Sequence, residues 1–153
     1  MATAAEFAWS REGRITGPAD YLIGEDAVQG GIRSLAAPAA LLDPHLGAAL
    51  LGERPPRGAS AAHAESAVVS HAYYLAVEGG ATSPASPVVE GVGSGRRREV
   101  EQALYRAWVY LLPSQPTFSL AREATLQSAR DLFGDGSDVE KALAQAWTAV
   151  GVR

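Results

Sequence analysis

The sequence predicts a mainly α fold: a bundle of about four to five helices, preceded by a long, pinned irregular segment. Three observations lead there. Apolar residues recur at helical spacing in successive windows of the second half. The apolar share is 47% of the chain, carried largely by alanine and leucine, with aromatics at only 7%. Glycine and proline punctuate the windows at their ends. The 153 residues amount to a single domain or one large piece of one. A chain of this size buries roughly 70% of its unfolded surface, enough for a core without staples.

The elements follow in order. Residues 2–13 read as a short helix carrying Phe7 and Trp9, ended by Gly13, Gly17 and Pro18. Residues 14–62 form a long loop region rich in Gly, Pro and Ala. Structureless stretches of this length are uncommon in compact domains. Ile15, Tyr21, Leu22, Ile23, Ile32, Leu35, Leu41 and Leu42 argue that it is pinned, because a disordered segment carries fewer large apolar groups. The helical core is expected over 64–151. Its first helix, 64–78, places Val68, His71, Ala72, Leu75 and Ala76 on one stripe, with Val69, Tyr73 and Tyr74 making other faces apolar. Gly79 and Gly80 supply the stop. Residues 81–95 are a Ser/Pro/Gly loop.

A second helix over 96–112 repeats Val100, Ala103, Leu104, Ala107, Trp108 and Leu111, and Pro113 and Pro116 break it. Thr117 is the N-cap expected for a third helix, 118–133, closed by Gly134. Its inner stripe is small: Ala121, Ala124, Thr125, Ser128, Ala129 and Leu132. Ser137 with Glu140 reads as a capping box opening the last helix, which carries Val139, Ala142, Leu143, Ala146, Trp147 and Val150 before Gly151 ends it.

Composition excludes several function classes. The net charge of −4 creates no field that recruits nucleic acid. The run Arg96-Arg97-Arg98 reads as a solvated helix end. Cysteine is absent, which removes disulfides, thiolate metal sites and cysteine nucleophiles. No stretch reaches the roughly 18 apolar residues of a membrane span. Gly91-Val92-Gly93-Ser94-Gly95 lacks the spacing of a dinucleotide fingerprint and the lysine of a phosphate loop. His45, His63 and His71 make no metal site by spacing: there is no HExxH, and His63 and His71 lie roughly 12 Å apart along a helix. His63-Ala64-Glu65 matches the H-x-E of zinc deaminases without the cysteines those enzymes need.

Several segments together resemble the C-terminal helical domain of thermolysin-like zinc metallopeptidases. Asp20 to Asp26 and Gly30 to Leu35 are similar to the family's IGED and LRS segments. Asp43-Pro44-His45 follows. His63 and Ser66 then lead the apolar run through Tyr73-Tyr74-Leu75 to Gly79-Gly80. Val92-Gly93, Leu104-Tyr105-Arg106-Ala107 and Tyr110-Leu111 come next. Phe118-Ser119, Ala121-Arg122, Ala124 to Gln127 and Ala129 to Leu132 precede the end at Ala149-Val150-Gly151-Val152. Order and spacing agree from about Glu6 to Arg153, so the resemblance covers 1–153 as one C-terminal-type domain.

The resemblance implies a division of labour. In such secreted hydrolases the HExxH half provides the zinc ligands and the glutamate that activates water. A third ligand, also a glutamate, would fall just upstream of Met1. These 153 residues would then form the other wall of the cleft: proteolysis by family, but no zinc ligand and no general base in this chain, which alone should not cleave peptides. His63 matches the histidine that stabilises the oxyanion of the tetrahedral intermediate, Arg33 matches the arginine that binds a substrate carbonyl, and Ile32 lines the pocket beside it. Glu6, Asp20 and Glu25 match calcium-binding positions; the alternative is surface carboxylates without metal. Two departures bear on His63. The family's orienting aspartate, five residues earlier, is Gly58 here, and the asparagine two residues later is Glu65.

The partners implied are a peptide or protein substrate, the zinc-bearing half, or a second copy docking on the apolar surface left facing it; nucleic acid and membrane are not expected. The family points to an extracellular protein. The chain's own start has no signal peptide, which read literally points to the cytoplasm. A rival reading is a non-catalytic protein that binds a peptide or partner on the same fold, and a third is a different enzyme using His63, Glu65 or Tyr73 as acid–base groups.

Overall fold

In the computed structural model of this chain the described residues are 3–4, 7–8, 20–24, 31–38, 59–84 and 86–153, with 59–64 described as backbone helix. Among the described residues the fold is mainly helical, with two short strands. The chain divides into two compact units, Met1–Ala67 and Val68–Arg153.

In the first unit, residues 3, 4, 7 and 8 are helical, and the rest of the helix expected over 2–13 lies outside the described residues. The Phe7 and Tyr21 rings meet at 5.2 Å, tilted by 58°, within the range that favours aromatic pairs. Within the irregular segment the chain forms a small antiparallel hairpin, β1 (Leu22–Ile23) and β2 (Arg33–Ser34), with Leu22 opposite Ser34 and Ile23 opposite Arg33. Ile32 N–H donates to Ile23 C=O (2.7 Å) and Leu35 N–H to Tyr21 C=O (2.9 Å), extending the ladder at both ends. Leu35 and Ser34 are buried.

Helix α1 spans Ala59–Glu78, beginning earlier than the 64–78 read from the sequence. Ala59, Ser60, Ala61 and Ala62 carry no apolar stripe, but alanine has the highest helix propensity and extends the helix backwards. His63 therefore sits past the first turn of α1 rather than at its start. Val68, His71, Ala72, Leu75 and Ala76 are all buried, as is Tyr73.

Loop backbone satisfies the end of α1. Val92 N–H donates to Ala76 C=O (3.0 Å) and Gly93 N–H to Val77 C=O (2.8 Å), while Gly80 and Val89 exchange two hydrogen bonds. These are carbonyls a helix end leaves without an intrahelical partner. The approach is close at Gly91, where an added Cβ would lie 2.4 Å from both Gly79 N and Val77 O. Gly91 thus serves chain packing, while Gly93 takes a positive φ of 84° that favours glycine. Gly91→Ala is expected to cost at least the roughly 1–3 kcal/mol of ordinary overpacking, because backbone rather than a pliable side chain must yield. Gly95→Ala, where a Cβ meets nothing within 4 Å, should stay within about 0.5 kcal/mol of the parent. Urea midpoints of the two variants check this.

A 3-10 turn (Ser94–Arg96) leads into α2 (Arg97–Arg106), which continues as a π-helical turn (Ala107–Leu111) before Pro113. The arginine run is a solvated helix end at Arg96 and Arg98, which are exposed, but not at Arg97. Arg97 is buried and pairs through Nη2 with Glu78 Oε1 (2.9 Å), fastening the start of α2 to the end of α1. Arg96 bridges Glu99 (2.8 Å) and Asp138 (2.9 Å).

Helix α3 (Phe118–Phe133) opens on Thr117, whose hydroxyl accepts from Leu120 N–H (3.2 Å). Ala121, Ala124, Thr125, Ser128 and Ala129 are buried as the small inner stripe requires, and Leu126 joins them. Leu132 does not: it is 44% exposed, in the last turn before the chain leaves the helix at Gly134. Helix α4 spans Asp138–Ala149, with Ser137 Oγ accepting from Glu140 N–H (3.3 Å). The capping box is only half formed. Glu140 Oε2 accepts from Gly136 N–H (2.7 Å) rather than from Ser137, and Oε1 takes Arg130 Nε–H (2.7 Å).

The core of the second unit gathers Leu75, Val77, Val100, Val139, Leu143 and Trp147, all fully buried. Glu140 is held below the usual carboxylate range, chiefly by the Gly136 amide and then by the Arg130 guanidinium. A lowered carboxyl stabilises above its unfolded value, about 4.3, and that contribution is lost as pH falls through the folded value. Glu140→Gln should therefore lower the thermal midpoint at neutral pH, and the gap to the parent should close in strong acid.

Candidate functional site

Arg33 reaches the site from a strand two residues long. Asp20 Oδ1 accepts from Leu22 N–H (2.7 Å) where the chain enters β1, and Ser34 Oγ accepts from Ala37 N–H (3.0 Å) where it leaves β2. Side chains bonding nearby backbone in this way form tight local turns. They fix the hairpin that carries Arg33.

From β2, Arg33 Nη1–H donates to Ser66 Oγ on α1 at 2.8 Å. Ser66 lies three residues after His63, one helical turn on, and residues at that spacing are neighbours on a helix surface. A residue pair 33 apart in the chain thus anchors a guanidinium about one turn from His63. The His63 side chain itself lies outside the described residues; its backbone is helical. Ile32, next to Arg33, is 54% exposed, and an added Cβ on Gly24 would run into it, since Cδ1 lies 2.7 Å away. Ile32 therefore stands over Gly24 with much of its apolar surface open.

Of the carboxylates matched to calcium positions, Asp20 sits at the base of the hairpin, engaged with Leu22. Glu6 and Glu25 lie outside the described residues, as does Gly58. No group of three His, Cys, Asp or Glu side chains placed to hold a metal ion occurs among the described residues.

Other chemistry-bearing groups are committed elsewhere. His71 is buried and stacks on Tyr74 with ring centres 5.9 Å apart and 9° between planes, a core histidine. Tyr73 is buried and its hydroxyl donates to Glu101 Oε1 at 3.0 Å. Glu65 is exposed on α1. Sequence reasoning gave Ser66 no role, although its place one turn after His63 was a usable signal. No helix among the described residues is long and apolar enough to cross a membrane.

Comparison with known proteins identifies the family. The family described as "Thermolysin metallopeptidase, alpha-helical domain" matches residues 1–152. The chain is 36% identical over 139 residues to a thermolysin from Alicyclobacillus acidocaldarius subsp. acidocaldarius, covering 87% of this chain and 24% of that protein. Neutral protease B of Bacillus subtilis (strain 168) is 34% identical over 139 residues, again 87% and 24%. A bacillolysin from Brevibacillus brevis is 35% identical over 140 residues, 88% and 25%. The chain spans about a quarter of the length of these curated relatives.

Proposed function

Because this chain belongs to the thermolysin metallopeptidase family, as its alpha-helical domain, we propose that it forms the substrate-facing wall of a secreted zinc metalloendopeptidase and does not hydrolyse peptides by itself. The observation that carries this reading is the Arg33–Ser66 hydrogen bond, which holds a guanidinium one turn from His63.

In this role the Arg33 fork keeps donors beyond the one given to Ser66 and uses them to bind a substrate carbonyl, with planar geometry that fixes orientation. Ile32 offers apolar surface to the side chain next to that carbonyl. His63 donates to the oxygen on which negative charge develops, a role that needs a fixed donor and is worth most where water is excluded. The described residues of this chain do not fit zinc. The chain has three histidines, no cysteine and no HExxH, and the described residues bring no ligand group together. In this reading zinc and the water-activating base are supplied by an HExxH segment that these 153 residues do not include. Asp20, with Glu6 and Glu25, is the candidate calcium set, since hard cations take several oxygen ligands.

The test compares two samples. The 153-residue chain given zinc should leave casein intact. A product that joins this chain to an HExxH segment should cleave it, and there Arg33→Ala should lower kcat/KM roughly ten- to a hundredfold, the value of a charge-assisted hydrogen bond. Cleavage by the isolated chain, or an Arg33→Ala variant with unchanged kcat/KM, would overturn the proposal.

Gly58 in place of the family's orienting aspartate favours a second reading, a non-catalytic peptide-binding protein. That reading predicts that the native product contains no HExxH segment, which its intact mass would reveal.

A further inference from the structure

An open groove of about 550 Å³ runs along α3, within the second unit, and neither Arg33 nor His63 takes part in it. This size lies within the range of about 300–1,000 Å³ typical of ligand sites. Leu111 and Pro113, from the end of the π-helical turn, line it together with Leu120, Ala124 and Gln127, which repeat along α3 at helical spacing. Leu120 is 39% exposed, so the apolar lining is open to a partner.

The polar lining is mostly committed. Gln127 Nε2–H donates to Asp131 Oδ1 (2.7 Å), and Asp131 is itself paired with Arg106 Nη2 (2.7 Å). Arg130 is held by Glu140 (2.7 Å). Arg122 is different. It lines the groove, its Nε is buried without any hydrogen-bond partner, and no described residue forms an ion pair with it. That Nε is closed to solvent, whereas the terminal nitrogens of the same guanidinium remain open and without an ion pair, and a carboxylate is the acceptor whose geometry they satisfy best. The one carboxylate on the lining, Glu123, is exposed and unpaired with Arg122; it disfavours a densely acidic ligand and limits the occupant to a single negative charge nearby.

We propose that this groove binds an extended segment of a partner protein in which one carboxylate side chain, paired with Arg122, is flanked by apolar side chains that cover Leu111, Pro113 and Leu120. The carboxylate supplies the counter-charge that Arg122 lacks, and the apolar neighbours bury the open lining.

The experiment is a titration of the ¹⁵N-labelled chain with N-acetyl-Leu-Glu-Leu-amide and with its Gln counterpart, followed through the Arg122 Nε–H signal and the amides of Leu120, Ala124 and Gln127. The expected result is saturable movement of these signals by the Glu peptide, with binding at least about tenfold weaker for the Gln peptide. Arg122→Gln should erase the difference between the two peptides. Leu120→Glu, at an exposed position, should abolish binding while leaving the remaining spectrum in place, which separates loss of the site from loss of the fold. Three results would overturn the proposal: an Arg122 signal that does not move, equal binding of the two peptides, or movement of the same signals with protein concentration alone, which would assign the groove to a second copy of this chain.

Discussion

Trp147→Ala is expected to destabilise the second unit by about 3–5 kcal/mol, at the upper end of core truncations. The indole is fully buried, and its Nε1–H donates to Thr125 Oγ1 at 2.9 Å. That hydroxyl in turn donates to Arg122 C=O at 2.8 Å. One side chain thus joins α4 to α3 through both packing and a hydrogen-bond relay. Truncation opens a large cavity beside residues too small to fill it, since Ala121, Ala124 and Ala129 form the facing stripe. Against a typical total stability of about 5–15 kcal/mol, the variant would be marginal. Trp147→Phe keeps most of the apolar volume and removes one donor, so its loss should be smaller, near 1–3 kcal/mol. Urea unfolding followed by far-ultraviolet circular dichroism distinguishes the two. Equal midpoints for the parent and the alanine variant would show that the helix pair does not depend on this residue.

His63→Ala, made in a product that carries both the HExxH segment and this chain, is expected to lower kcat about 10²- to 10³-fold with little change in KM. A donor aimed at developing negative charge acts in the transition state more than in the bound substrate, which predicts that pattern. A loss confined to KM would instead make His63 a binding residue. Gly58→Asp extends the experiment. A carboxylate beside an imidazole favours its charged form, so this substitution should carry the alkaline limb of the kcat profile to higher pH. A profile that does not move would mean that position 58 does not reach the imidazole.

The helical part of this fold was legible because its signals are local. Thr117 and Ser137 cap the helices whose starts they mark, and the apolar repeats of α2, α3 and α4 point largely into the core. What escaped depends on partners distant in sequence or on backbone geometry. The π-helical turn rests on Leu112 N–H reaching Ala107 C=O, which no residue pattern announces. The strands of the hairpin are two residues long, too short for an alternating pattern to show. Arg97 reads as one cation in a surface run until Glu78 is found beside it. The candidate site rests on resemblance alone. Nothing in local spacing joins Arg33 to the helix of His63, and Ser66, which makes that join, had no assigned role.

The paired backbones of Gly80 and Val89 close the loop between them at its neck, so its length is decoupled from the helices on either side. Lengthening such a loop adds only about 0.6 kcal/mol for each doubling. Thr82 in this loop is tied to Ala149 C=O at 3.2 Å, so Pro87 and Val88, exposed and beyond that bond, are where an inserted epitope or fluorophore tag would be carried at little expense to the fold.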